Sequence, residues 1–328
     1  LLCFTIPTDR KAAPIADLAP KGPVIQENLG RAAPARTFQD LLRNEHDEAL
    51  FDHYFTSQPV MVSWGGITQN FGPAAIYDNI STSPDGNYFL VSTIRRPYSY
   101  LVTVGAFPRK LEVWDKKAKT VYVVAELPLQ DTVPIGFNAT TVGVRGANWR
   151  PDLSATLFWV EALDGGDPKN KVPFRDQVYT LSAPFLGEKL PIAKTEQRFA
   201  GIMWGDHNLA LISDTWTQTR SRRMFIMDPS KPMSEFRKLL DLNTEDRYNN
   251  PGSPLMKRNQ FDRMVLRTTN DGKSLYMQGI GATPEGNRPF LHKMSLEDGK
   301  STELWRAQAP YYESVVALLP DGQSLMTR

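Results

Sequence analysis

One pattern recurs along the chain and limits what it can fold into: a short apolar run, a turn carrying Asp or Gly, then a second apolar run. It occurs five times, as Ser83-Pro84-Asp85-Gly86-Asn87-Tyr88-Phe89-Leu90, Trp149-Arg150-Pro151-Asp152, Trp204-Gly205-Asp206-His207-Asn208, Thr269-Asn270-Asp271-Gly272-Lys273-Ser274-Leu275 and Leu319-Pro320-Asp321-Gly322-Gln323-Ser324-Leu325. Three copies contain Asp-Gly, which tolerates the positive φ angles of a tight two-residue connection, and the flanking Val, Ile, Leu, Phe and Tyr runs suit strands. Each copy is therefore a hairpin signal. The aspartates 85, 152, 206, 271 and 321 lie 67, 54, 65 and 50 residues apart, a blade-sized spacing with insertions.

After each turn the same plan follows: an apolar strand, a polar loop, then a strand such as Lys110-Leu111-Glu112-Val113-Trp114, Asp176-Gln177-Val178-Tyr179-Thr180, Met224-Phe225-Ile226-Met227 or Phe290-Leu291-His292-Lys293-Met294. A last short strand closes the unit, for example Thr120-Val121-Tyr122-Val123-Val124. Four strands per radially repeated unit is the blade of a β-propeller. The spacing predicts an all-β propeller with about four complete blades, at residues 75–130, 141–195, 198–242 and 262–306, and partial blades at both ends. A β-sandwich is the rival all-β reading, with shorter and less regular turn spacing.

One stretch breaks the pattern. Residues 8–36 are rich in Ala and Pro, which suits a surface loop, and Thr37 is placed to cap a helix through Phe38, Leu41, Leu42 and Glu45, changing to strand near Leu50. Residues 8–47 are thus expected to form an insertion, with a short helix near 37–47, in a propeller portion running over 1–328. Leu1-Leu2-Cys3-Phe4-Thr5 and Ser324-Leu325-Met326-Thr327-Arg328 both have strand character, so the chain is expected to be a piece of a larger protein.

Composition narrows function by exclusion. Lys+Arg 38 against Asp+Glu 36 gives a net charge of +2, too balanced for the broad basic field of a nucleic-acid binder. No run approaches the roughly 20 apolar residues that cross a bilayer as a helix, so a soluble chain is expected. The single Cys3 excludes an internal disulfide, and four scattered histidines, His46, His53, His207 and His292, leave little for a metal site. Neither a G-x-S-x-G nucleophile elbow nor a phosphate-binding loop is present; Gly252-Ser253 and Gly322-Gln323-Ser324 are turn serines, and Gly279-Ile280-Gly281 suits a close-packed strand end. No catalytic residue, cofactor or metal is expected.

Titratable groups leave three options. His46 and His53, seven residues apart beside Glu45, Asp47 and Asp52, have a spacing compatible with one helix face, though surface histidines are the simpler account. The pairs Asp164/Asp167 and Glu245/Asp246 sit in polar runs and are expected to be solvated, although a propeller glycosidase would need such carboxyls across a cleft. Cations inside apolar strand contexts are the most unusual charged feature: Arg96 in Arg95-Arg96-Pro97-Tyr98, Arg145 and Arg150, and Arg220 and Arg223 in Thr219-Arg220-Ser221-Arg222-Arg223. The planar guanidinium fork matches a carboxylate, so these five are candidate readers of acidic peptide groups, or alternatively ties between blades.

Longer strings resemble a known family. They are Arg36-Thr37-Phe38-Gln39-Asp40-Leu41-Leu42, Arg96-Pro97-Tyr98-Ser99-Tyr100, Phe107-Pro108-Arg109-Lys110-Leu111-Glu112-Val113-Trp114, Leu127-Pro128-Leu129 with Pro134-Ile135-Gly136-Phe137-Asn138, Asn148-Trp149-Arg150-Pro151-Asp152, Trp159-Val160-Glu161-Ala162-Leu163-Asp164-Gly165-Gly166-Asp167 and Gly281-Ala282-Thr283-Pro284-Glu285-Gly286-Asn287. In this order they resemble the propeller domain of the prolyl-oligopeptidase-type serine peptidases, in particular the glutamyl endopeptidase branch. The resemblance implies a propeller that filters or orients peptides over an α/β-hydrolase domain of the same parent chain, expected beyond Arg328 and carrying the Ser-Asp-His triad. It implies a peptide substrate cleaved after Glu, and a plastid, periplasmic or secreted location. A stand-alone propeller that binds a protein partner without peptidase activity is the alternative.

Overall fold

The computed structural model describes residues 1–16 and 38–328. Its described residues divide into two compact units, one of Leu1–Trp149, Ala155–Asn170 and Leu181–Glu188, the other of Arg150–Ser154, Lys171–Thr180 and Lys189–Arg328. The predicted Thr37 cap and most of the Ala/Pro-rich stretch lie outside the described residues.

In the first unit, β1 (Leu2–Thr5) pairs with β2 (Thr56–Val62), which also pairs with β3 (Thr68–Asn70). An antiparallel meander follows: β4 (Ala75–Thr82), β5 (Tyr88–Ile94), β6 (Arg109–Asp115) and β7 (Thr120–Leu127), paired in sequence order. Its buried face holds Phe71, Phe89, Val91 and Trp114. Gly72, at φ +84°, sits directly beneath the Trp114 ring, where a Cβ would come within 2.8 Å of Cη2. β8 (Arg145–Trp149) pairs with β9 (Thr156–Ala162), and the Trp149 indole donates to the Ser81 carbonyl at 3.1 Å.

In the second unit the Asp176–Thr180 part of β10 (Asp176–Ser182) pairs with β11 (Leu190–Thr195). A complete meander is built from β12 (Arg198–Asp206), β13 (Leu209–Trp216), β14 (Ser221–Met227) and β15 (Arg237–Asn243). The next sheet starts earlier than expected, with β16 (Ser253–Pro254); β17 (Met256–Arg258) and β18 (Met264–Leu266) form a separate ribbon. β16 pairs with β19 (Ser274–Gly279); beyond a small hairpin of β20 (Ala282–Thr283) and β21 (Gly286–Asn287), the sheet continues through β22 (Phe290–Ser295) and β23 (Ser301–Arg306). A final hairpin joins β24 (Val315–Leu318) to β25 (Leu325–Thr327). Four strands in sequence order within one sheet are blades, not the crossed Greek-key pairs of a sandwich, and the fold is of the all-β propeller class.

The repeated turns explain this regularity. In three copies the same two backbone bonds recur: Ser83 N to Tyr88 O and Gly86 N to Ser83 O, Thr269 N to Ser274 O and Gly272 N to Thr269 O, Leu319 N to Ser324 O and Gly322 N to Leu319 O, all at 2.8–3.0 Å. The Asp-Gly loops are therefore four residues long, not two, with glycine in the left-handed region at φ +69°, +69° and +68°. Each aspartate accepts the amide two residues on, Asp85 from Asn87, Asp271 from Lys273 and Asp321 from Gln323, at 2.9–3.1 Å. A two-residue connection occurs instead at His207-Asn208, where Asp206 pairs with Leu209.

The helix also shifts. It spans Glu45–Phe55, overlapping the predicted 37–47 only in its first turn. Asp40 has φ +56°, which a helix cannot accommodate, whereas Asn44 accepts the Asp47 amide at 2.9 Å as N-cap. Glu45, Asp47 and Glu48 in the first turn suit the positive helix end. Phe51 extends the helix past Leu50 because it packs edge-on against Tyr98 and Phe107, with ring centroids 5.0 and 6.0 Å away. Among the described residues no helix is long and apolar enough to cross a membrane.

Candidate functional site

The five arginines singled out in the sequence are divided between the units: Arg96 and Arg145 in the first, Arg150, Arg220 and Arg223 in the second. Arg96 follows β5 and meets two carboxylates of helix α1 (Glu45–Phe55), which lie one turn apart on one face. It donates to Asp52 at 2.6 Å and to Glu48, and its guanidinium sits 4.6 Å from the Tyr98 ring centroid. These hydrogen bonds, to Asp52 foremost, raise its pKa further and keep it charged. The Tyr98 hydroxyl donates to the same Asp52; burial first, and this bond second, push the phenol up.

Arg145 opens β8 and is half-buried. Arg150 is buried, holds Asp152 through Nε and Nη2 at 3.1 and 2.7 Å, and stacks 4.1 Å from the Trp204 ring centroid. Arg220, in the left-handed region at φ +56°, forms an ion pair with Glu245. Arg223 on β14 faces Asp214 across the ladder, donating at 3.0 and 2.6 Å, and reaches Glu196 at 2.9 Å. A further buried pair, which no local sequence pattern marks, joins Arg198 to Asp176 at 2.7 Å, with the second Asp176 oxygen accepting the Phe199 amide at 2.6 Å. The guanidinium forks of Arg96, Arg150, Arg198, Arg220 and Arg223 therefore already hold carboxylates of their own chain.

His46 and His53 both lie on α1, where His53 packs edge-on against Tyr54 at 4.9 Å. Among the described residues no group of His, Cys, Asp and Glu could hold a metal ion. Asp164 is not a solvated loop charge: it is 2% exposed and accepts the Gly166 amide at 3.0 Å, fixing its turn. Asp167 caps the Lys169 amide at 2.9 Å, and the Asp246 carboxylate, lowered in pKa by its bond from Asn249, holds the 246–249 turn.

The loop after β15 lies between two clefts. One, of about 500 Å³, is lined by Arg247, Ser253, Gln278, Phe290, Tyr312 and Ser314 among others, with no carboxylate on its walls. Three of its lining glycines are required by packing within the protein: a Cβ on Gly279 would stand 2.6 Å from the Phe290 ring, and one on Gly252 or Gly281 would collide with the carbonyls of Gln278 or Arg288. Tyr312 is 63% exposed. Among the described residues Arg247 has no ion pair or hydrogen-bond partner for its guanidinium. The other cleft, of about 280 Å³, shares Asn250, Gly252 and Ser253 but has Arg222, Asp241 and Asp246 in its lining, one cation against two carboxylates. Arg247 is not among the cations of apolar strands, because it stands in the polar run Glu245-Asp246-Arg247-Tyr248 and carries no local signal of its own.

No family model matches the chain. Over 98% of its length it is 41% identical to a probable glutamyl endopeptidase, chloroplastic, of Oryza sativa subsp. japonica, and 39% identical to the protein so named in Arabidopsis thaliana. The matches cover 35% and 34% of those proteins, so the chain spans about a third of the curated relatives it matches. Among solved structures, prolyl oligopeptidase B from Galerina marginata, bound to a 35mer substrate, aligns 36% of its chain with 80% of this one at TM-score 0.43 and 10% identity. The uncomplexed acylaminoacyl peptidase of Pyrococcus horikoshii aligns 37% of its chain with 80% of this one at TM-score 0.41 and 11% identity. Over the portion it spans, the chain is similar to proteins named probable glutamyl endopeptidase, the branch that its motifs from Arg36 to Asn287 resemble.

Proposed function

We propose that the chain is the non-catalytic propeller portion of a serine endopeptidase that cleaves peptides after acidic residues, and that it gates and orients the peptide for an α/β-hydrolase domain of the same parent chain. The observation that carries this reading is near-complete coverage at about two-fifths identity to relatives named glutamyl endopeptidase, confined to a third of their length. The blade-built fold and the absence of a nucleophile elbow from the sequence suit a part that selects rather than cuts. The chloroplastic relatives support a plastid location.

Two proteins test it, the full-length parent and the 328-residue chain, each assayed with fluorogenic peptides that differ only in Glu or Gln before the scissile bond. The parent should hydrolyse the Glu peptide with higher kcat/KM, and the chain alone should hydrolyse neither. Turnover by the chain alone that a serine-directed inhibitor stops would overturn the non-catalytic assignment; a parent indifferent to Glu against Gln would overturn the specificity.

A further inference from the structure

We infer that the cleft beside Arg247 is a binding site for an acidic side chain of an extended peptide, with the Arg247 guanidinium as its carboxylate partner. Arg96, Arg150, Arg220 and Arg223 each have a carboxylate of their own chain in contact, and Arg247 has none among the described residues. Its five N–H donors, arranged in a planar fork, fit the two oxygens of a carboxylate.

The walls set the sign and the number of charges. One cation and no carboxylate line this cleft, whereas the neighbouring cleft has two carboxylates, Asp241 and Asp246, against the single cation Arg222. A singly charged anion balances a lone arginine, whereas a phosphate group, close to doubly charged, would leave the site net negative. Ser253, Gln278 and Ser314 supply polar partners for the amides of a peptide, and Tyr312 offers a half-open aromatic wall. A volume near 500 Å³ takes a short extended segment rather than a folded partner. The peptide nature of the ligand rests on the peptidase reading above.

The test is binding to the 328-residue chain, by fluorescence anisotropy, of labelled peptides that differ only in Glu or Gln. The Glu peptide should bind about tenfold tighter, as a charge-assisted hydrogen-bonded pair allows. Arg247→Ala should remove that difference and Arg247→Lys should keep part of it, with circular dichroism and melting unchanged. Tyr312→Ala should weaken both peptides alike. Should Arg247→Ala fail to fold, the Arg247→Lys and Tyr312→Ala arms still decide. Equal binding of the Glu and Gln peptides to the unsubstituted chain, or an undiminished preference in Arg247→Ala, overturns the site. The two readings separate cleanly: loss of the site with a Glu-selective parent leaves the peptidase reading standing, and Glu-selective binding with an unselective parent removes the peptidase specificity but not the site.

Discussion

Arg96 and Arg247 are both exposed arginines outside the strands, and the fold treats them in opposite ways. Arg96, half exposed, is held by Asp52 and Glu48 on α1 and by the face of Tyr98. Arg247 faces a cleft without a carboxylate. What separates them is the supply of partners from distant parts of the chain, since Asp52 stands 44 positions before Arg96. An arginine already answered by its own chain ties elements together; one left unanswered at a concave surface can take an external anion. The arginines of the second unit extend the series inward, through Arg223 to the enclosed Arg198–Asp176 pair.

The strongest way to break the comparison is to remove the carboxylate where burial is greatest. Asp176 is fully buried and accepts from both Arg198 and the Phe199 amide. Asp176→Ala leaves a guanidinium and an amide without that partner in a place water does not reach, and should cost about 3–5 kcal/mol of stability, read from the denaturant midpoint. A cost under about 1 kcal/mol would mean that burial does not set the weight of these pairs. Arg96→Ala should do far less: with Arg96 half exposed, a loss of about 1 kcal/mol or less is expected, shrinking further as salt rises. The check is the same denaturation at low and high ionic strength, with amide exchange confined to α1 as a local readout. A loss as large as that at Asp176 would place the two arginines in one class.

The same contrast explains what the residues disclosed in advance. Turn chemistry is local, so Asp85-Gly86, Asp271-Gly272 and Asp321-Gly322 marked hairpins, although the loops proved four residues long because glycine closes a turn whose first carbonyl lies three residues back. The blade intervals follow from those turns, except in the sheet that takes β16 as its first strand; two residues, Ser253 and Pro254, are too few for a period-two pattern. The helix was misplaced because its anchor is tertiary: Phe51 packs on Tyr98 and Phe107, some fifty residues away. The partners of the arginines are hidden for the same reason. Arg223 reaches Glu196 over 27 residues and Arg198 reaches Asp176 over 22, spacings that no local pattern encodes. Arg247 is set apart by the carboxylates its cleft walls lack, and those walls are assembled only by the fold.

The smallest effect sharpens the outer end of the series, because it changes charge at the Arg96 site without touching the arginine. Tyr98 is buried, donates to Asp52, and has its phenol pKa raised by burial first and by that bond second. The folded state therefore holds the phenolic proton more tightly than the unfolded chain, whose tyrosines titrate near pH 10. Stability from this source is complete below about pH 10 and is lost as pH climbs toward the higher folded value. Ionisation would set a phenolate against Asp52 and Glu48 and compete for Arg96. From pH 7 to 9 the amide exchange of α1, corrected for intrinsic rates, should stay flat; above about pH 10 it should quicken in the unsubstituted chain, and Tyr98→Phe should lose part of that alkaline component, the Tyr100 phenol, pushed up to about 12 by burial first and by its bond to Glu48 second, supplying the rest. If Tyr98→Phe and the unsubstituted chain loosen in parallel, the docking of α1 depends on Arg96 and the aromatic contacts alone, and the hydroxyl is incidental to the tie.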